Sequence, residues 1–277
     1  MILIKLFRKF SKPNPLKFSP ISSFEAFTFR PQIHSFLKSK QMEVPTPIQN
    51  LSFQFFEDKE FKKTRPPLYL GGPTGTGKTF AYAIPIVQAL KSEEDKQGSV
   101  GALPNRPRVI VIAPSKELVV QIYDVFNELA HEVKLKIEKI EGASNWQRKI
   151  NYLNEGVDVL VTNPDKLNRL LKENRILLSS VDYFIIDEAD SLLESGEEKL
   201  LLSLSKQLFY EKRENDLKHA QIIFVSATLT NKLKIFLEIT FAGLTKMLVT
   251  SESHINLSHI KHFFVSVGEK NRLELLE

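Results

Sequence analysis

The stretch Leu68-Tyr69-Leu70-Gly71-Gly72-Pro73-Thr74-Gly75-Thr76-Gly77-Lys78-Thr79 decides how the rest of the chain is read. Its apolar start is a strand candidate. That strand runs into four glycines within seven residues, in a chain that holds 11 in all. Glycine lets successive backbone N–H groups turn inward around an anion. Helical periodicity follows over residues 79–91, and a helix N-terminus favours phosphate. Residues 72–79 fit G-x-x-x-x-G-K-[ST]. Thr74, Gly75, Thr76 and Gly77 would cradle phosphates, Lys78 would reach the β- and γ-phosphates, and the Thr79 hydroxyl would bind Mg²⁺. With a strand before and a helix after, the pattern reads as an ATP or GTP site rather than a chance glycine-rich turn.

About 110 residues downstream, Tyr183-Phe184-Ile185-Ile186 leads into Asp187-Glu188-Ala189-Asp190. A buried apolar strand thus delivers carboxylates at its C-terminal tip, where open α/β sheets bind ligands. Asp187 would hold Mg²⁺. Glu188 is placed to orient or deprotonate an attacking water. The bland alternative is a solvated acidic turn, which the paired phosphate loop disfavours.

Working outward, short β-branched runs recur at 109–113, 137–140, 157–161, 183–186, 222–225 and 247–249. They alternate with helical stretches, among them 116–132, 146–154, 166–173, 197–209 and 232–241. Strand–helix alternation predicts an α/β domain with a parallel sheet covered by helices on both faces. The polar segment 92–108 reads as a long surface loop, 251–256 as a linker, and 262–267 as one more strand. Pro85 inside the first long helix is costly by propensity.

Composition sets the outer limits. Apolar residues are 42% and charged residues 26% of 277, ordinary for a globular chain. There is no cysteine, so disulfides and thiolate-bound metals are excluded. No apolar run reaches the ~18 residues of a membrane span. The net charge of +5 comes wholly from the first 24 residues, where Lys5, Arg8, Lys9, Lys12 and Lys17 face no acid; from Glu25 onward bases and acids balance. The surplus charge therefore says nothing about nucleic acid. Ile2, Leu3, Ile4, Leu6, Phe7 and Phe10 share one helical arc opposite the cations. Residues 1–23 accordingly read as a mitochondrial presequence, and the location as the mitochondrial matrix, with nucleus or cytoplasm as the alternative.

The phosphate loop and the Asp-Glu-Ala-Asp run together resemble the DEAD-box RNA helicases, ATPases built from two RecA-like domains. The resemblance covers the chain from about Phe24 to its end and implies a RecA-like first domain over residues 24–250. Pro45-Thr46-Pro47-Ile48-Gln49, with Phe24 upstream, resembles the family's adenine-reading motif. By that resemblance Gln49 reads the adenine edge and Phe24 stacks on the base, making the nucleotide ATP with Mg²⁺. Ser226-Ala227-Thr228 resembles the motif that couples hydrolysis to RNA, with Ser226 and Thr228 acting partly through Asp190. Implied RNA-facing residues are Pro114, Ser115, Lys116 and Glu117; Gly142; and Asn163, Pro164 and Lys166. Lys116 replaces an arginine, Ala143 a glycine, and Asn163-Pro164-Asp165-Lys166 a Thr-Pro-Gly-Arg.

The resemblance also implies that residues 251–277 are a linker and the start of a truncated second RecA-like domain. The arginine-rich motif of that domain has no counterpart in the sequence, so the isolated chain is expected to be poorly active. The implied activity is RNA-stimulated ATP hydrolysis and RNA or ribonucleoprotein remodelling by a monomer. The chain resembles fungal mitochondrial members that act in large-ribosomal-subunit assembly, which makes ribosomal RNA and the mitochondrial pre-ribosomal large subunit the expected partners. Two other readings stay open: a phosphate-loop ATPase of another class, and an ATP-binding module for RNA or protein without turnover alone.

Overall fold

The computed structural model describes residues 21–98, 101–142, 144–210 and 219–250. The expected presequence up to residue 20, Ala143, and the expected linker and second-domain start at 251–277 lie outside the described residues.

After a 3-10 turn at Phe24–Ala26 come helices α1 (Pro31–Ser39), α2 (Pro47–Glu57) and α3 (Lys59–Thr64). Strand β1 (Leu68–Gly71) follows, then α4 (Lys78–Gln97), β2 (Val109–Ile112), α5 (Lys116–Val133) and β3 (Ile137–Ile140). The chain continues through α6 (Trp146–Asn154), β4 (Val159–Thr162), α7 (Pro164–Lys172), β5 (Tyr183–Ile186) and α8 (Ala189–Glu194). It closes with α9 (Glu198–Tyr210), β6 (Gln221–Ser226), α10 (Asn231–Phe241) and β7 (Lys246–Val249). The seven strands form one sheet in the order β3-β4-β2-β5-β6-β1-β7, and every pairing is parallel.

The inner strands β4, β2, β5, β6 and β1 are buried and largely apolar because both sheet faces are covered, while the edge strands β3 and β7 carry Glu138, Lys139 and Lys246. Alternate residues point to opposite faces. Val109, Val111, Val159, Val161, Ile185, Ile223 and Val225 pack beneath α1, α2, α4 and α5. Ile110, Ile112, Leu160, Phe184, Ile186, Ile222 and Phe224 pack against α6 to α10. This is the expected α/β sandwich of RecA-like type.

Most element ends lie within one or two residues of the sequence reading, and two differences bear on the packing. The expected surface loop 92–108 is helical at its start: α4 continues to Gln97 and ends at Gly98, whose φ of 70° closes the helix in the left-handed region. The polarity of this stretch reflects an outer helix face rather than a loop. Glu94 there pairs with Arg108 and Lys91, and Arg108 bonds Asp158 Oδ1 at 2.8 Å, tying the end of α4 to the base of β2 and β4. The expected strand 157–161 starts instead at Val159. Asp158 is taken up by Arg108 and by the Lys136 N–H. Pro85 lies inside α4.

Candidate nucleotide-binding site

The sheet's C-terminal rim carries the expected chemistry. Strand β1 is pinned between β6 and β7 and delivers the loop 72–77. Gly75 and Gly77 have φ of 78° and 82°. Only glycine takes these conformations cheaply. At Gly77 space is also short, because a Cβ there would collide with the Gln49 amide.

Within the loop, the Thr76 hydroxyl donates to the Pro73 carbonyl at 2.8 Å. Lys78 Nζ donates to the carbonyls of Gly72 at 2.7 Å and Pro73 at 2.8 Å. Burial lowers its pKa, while Asp187, Asp190 and Glu188 act in the opposite sense. A half-buried cation bonded to carbonyls exchanges them readily for phosphate oxygens, which offer it full charge.

The Gln49 motif is wired to this loop. Thr46 and Gln49 form a reciprocal capping box at the start of α2, with Pro47 at the first helical position. The Thr46 hydroxyl also donates to the Thr76 carbonyl at 2.8 Å, and Gln49 Nε2 to the Gly77 carbonyl at 3.3 Å. Gln49 is 1% exposed. Phe24, which the resemblance sets against the base, lies beside α2. It is 3% exposed and packs 6.0 Å from the Phe53 ring. The contact with Phe53 packs the ring against α2.

Just beyond strand β5, which β6 separates from β1, Asp187 is 5% exposed and its N–H is held by the Ile112 carbonyl. Burial pushes its carboxyl up to about 6 against the opposing effects of the Tyr82 hydroxyl, the Glu188 N–H and Lys78. Glu188 is exposed, with φ 48° and ψ 51°. This strained left-handed turn points the chain away from the sheet just where a reactive carboxylate is expected. Asp190 accepts from the Thr228 hydroxyl at 2.6 Å, and Ser226 Oγ accepts from the Thr228 N–H at 3.0 Å. The expected coupling residues are therefore in direct contact. The Thr79 hydroxyl and Asp187 carboxylate are hard oxygen donors, the kind of which Mg²⁺ uses one or two beside phosphates. Tyr82, whose hydroxyl donates to Asp187 Oδ2 at 2.8 Å, was not visible in the sequence. An aromatic on an apolar helix face reads as core.

The implied RNA-facing residues gather on the other part of the rim, after β2, β3 and β4. Ser115 caps α5 by accepting from the Leu118 N–H at 3.1 Å. Asn163 caps α7 by accepting from the Lys166 N–H at 3.0 Å, and reaches across to the Glu141 carbonyl. Pro164 is buried, Gly142 half-buried, and Lys116 and Glu117 are exposed. A cavity of about 580 Å³ lies at the opposite end of the sheet, against Phe29, Phe56, Phe61 and Arg65. It contains none of these groups.

The chain matches the family model described as DEAD/DEAH box helicase over residues 46–236. It is 28% identical over 261 residues to "DEAD-box ATP-dependent RNA helicase 39" of Arabidopsis thaliana, covering 92% of this chain and 40% of that protein. It is 28% identical to "ATP-dependent RNA helicase mrh4, mitochondrial" of Aspergillus terreus, covering 83% of this chain and 43% of that protein. Among solved structures, a DEAD box protein from Methanococcus jannaschii aligns with a TM-score of 0.67 at 23% identity, over 84% of this chain and 57% of that one. The chain thus spans less than half the length of these two helicase relatives. With the phosphate loop, Asp187 to Asp190 and the Ser226–Thr228 contact assembled on one rim of a RecA-like sheet, the chain belongs to the DEAD/DEAH box helicase family.

Proposed function

We propose that this chain is the ATP-binding lobe of an RNA helicase that couples ATP hydrolysis to RNA or ribonucleoprotein remodelling. The observation that carries the reading is the joining of Gln49 to the phosphate loop through the Gly77 carbonyl, beside Lys78 and Asp187. The side-chain amide of Gln49 offers both a donor and an acceptor, as an adenine edge requires. Lys78 exchanges the carbonyls of Gly72 and Pro73 for β/γ-phosphate oxygens. Thr79 and Asp187 would hold Mg²⁺, which when bound offsets charge on the phosphates. Glu188 orients the attacking water and takes its proton. The Asp190–Thr228 contact reports the state of this carboxylate cluster to the Ser226 loop. RNA meets the half of the rim bearing Lys116 and Lys166. The fitting test is phosphate release from ATP and from GTP, with and without single-stranded RNA, in the presence of the family's second domain. ATP preference and RNA stimulation are expected; equal use of both nucleotides would indicate an ATPase of another class.

The finer reading is a mitochondrial role in large-ribosomal-subunit assembly, on ribosomal RNA. It is supported by the acid-free amphipathic start and by similarity to a relative whose name marks it mitochondrial. Deleting residues 1–23 should abolish import into isolated mitochondria; import that persists removes the presequence from the account.

A further inference from the structure

We propose that Tyr82 is a positioning residue for the Mg²⁺-nucleotide complex, its hydroxyl holding the Asp187 carboxylate against the helix that carries Thr79 before the ion arrives. The inference rests on the reading above that Thr79 and Asp187 are the protein's Mg²⁺ donors. Helix α4 carries Thr79 in its first turn and Tyr82 three residues on, so both lie on one helix face. The Tyr82 side chain is fully buried, its ring 6.2 Å from that of Phe126. A phenylalanine would fill that space as well. The hydroxyl instead donates to Asp187 Oδ2 at 2.8 Å, from the helix whose first turn carries Thr79.

The other carboxylate oxygen, Oδ1, accepts the Glu188 N–H at 2.9 Å. Asp187 is thus gripped at both oxygens, each of which keeps a further lone pair. The grip on Oδ2 comes from the helix that bears the phosphate loop. It spans 105 residues of sequence, and strand β6 lies between β5 and β1 in the sheet. A single hydroxyl therefore ties Asp187 to the helix that carries Thr79, and outer partners of this kind orient ligands and are commonly worth about 10–100-fold in metal affinity.

The test is Tyr82→Phe, which keeps the ring and its packing. The probe is N-methylanthraniloyl-ADP, titrated with EDTA and with Mg²⁺ across a range of concentrations. The expected result is affinity in EDTA within about twofold of the wild type and a Mg²⁺-dependent gain reduced about tenfold. A structural role alone would move both titrations together or neither. A Tyr82→Phe protein with the wild-type Mg²⁺ dependence overturns the assignment of Tyr82 alone. A wild type with no Mg²⁺-dependent gain overturns the donor reading beneath it as well. Independently of that variant's folding, 3-fluorotyrosine placed at position 82 of the wild-type chain should shift its ¹⁹F resonance when Mg²⁺ is added to the ADP complex. An unmoved resonance overturns the proposal.

Discussion

The two parts of the sheet's C-terminal rim are built on different principles. Around β1, β5 and β6, functional side chains are held by partners far away in sequence: Gln49 by Gly77, Asp187 by Tyr82, and Asp190 by Thr228. Around β2 and β4, polar side chains mostly serve their own helix, Ser115 bonding the Leu118 N–H and Asn163 the Lys166 N–H, each three residues on. The first arrangement fixes geometry before a ligand binds, which is what charge stabilisation in phosphoryl transfer needs. The second leaves cations on exposed stems, which suits a backbone read by charge. Substitutions at the first part should give large, specific losses, and at the second small, salt-dependent ones.

The sharpest contrast comes from Lys78→Ala. Lys78 bonds only loop carbonyls among the described residues, so its removal should leave the fold intact while lowering ATP affinity by at least about a hundredfold, since charge-assisted contacts to phosphate are strong. Titration with a fluorescent ATP analogue, alongside a thermal melt, checks this. Unchanged affinity would dissolve the distinction between the two parts.

Asp187 should show the opposite trade. Its carboxyl sits above the usual aspartate range, at about 6, because burial disfavours the charged form. The sign follows directly. Below about pH 4 the group is protonated in both states and withholds nothing. As pH rises from 4 through about 6 the unfolded chain ionises more readily, so stability falls, by about 2–3 kcal/mol at neutral pH. Asp187→Asn should therefore abolish hydrolysis yet melt several degrees higher at pH 7.5, with the difference closing as pH falls towards 4. A variant that melts lower at all pH values would mean that lost hydrogen bonds outweigh the relieved charge.

Gln49→Ala should cost less. It removes bonds to the Thr46 N–H and the Gly77 carbonyl, at roughly 1 kcal/mol each. The expected readout is a tenfold narrowing of the ATP-over-GTP preference with GTP binding nearly unchanged. An equal loss for both nucleotides would make Gln49 a brace for the phosphate loop rather than a reader of the base.

How far the sequence revealed each part follows the same division. Strand 183–186 is legible to the residue, because a strand covered on both faces is continuously apolar. The phosphate loop was legible because glycine spacing and Lys78 are local signals. The long-range grips were not. Tyr82 lies among Ala81, Ala83 and Ile84 and has no sequence mark to distinguish its hydroxyl from a core ring. The Phe24–Phe53 ring contact, like the grips, joins residues too far apart in sequence to be read there. The start of 92–108 reads as a loop because Glu93, Glu94, Asp95 and Lys96 are polar, although such residues form exposed helix faces readily.

The smallest effects are expected where the family pattern is least closely followed. Lys116 and Lys166 stand on the β2 and β4 parts of the rim, and neither makes an ion pair among the described residues. A lysine is a compact point charge on a flexible stem, without the fork that grips a phosphate through two parallel bonds. Lys116→Ala should thus weaken single-stranded RNA binding only about two- to fivefold at low salt, reduce the salt slope by about one, and leave ATP affinity unchanged. Lys116→Arg should tighten binding by a similar factor, since it restores the fork while keeping the charge. Fluorescence anisotropy with a labelled oligonucleotide, repeated at several salt concentrations, separates the outcomes. If neither substitution moves the slope, RNA does not pass this edge of the sheet. If Lys116→Ala instead lowers ATP affinity as strongly as Lys78→Ala does, the two parts of the rim are one preorganised site, and their separation into a gripped half and a charged half is wrong.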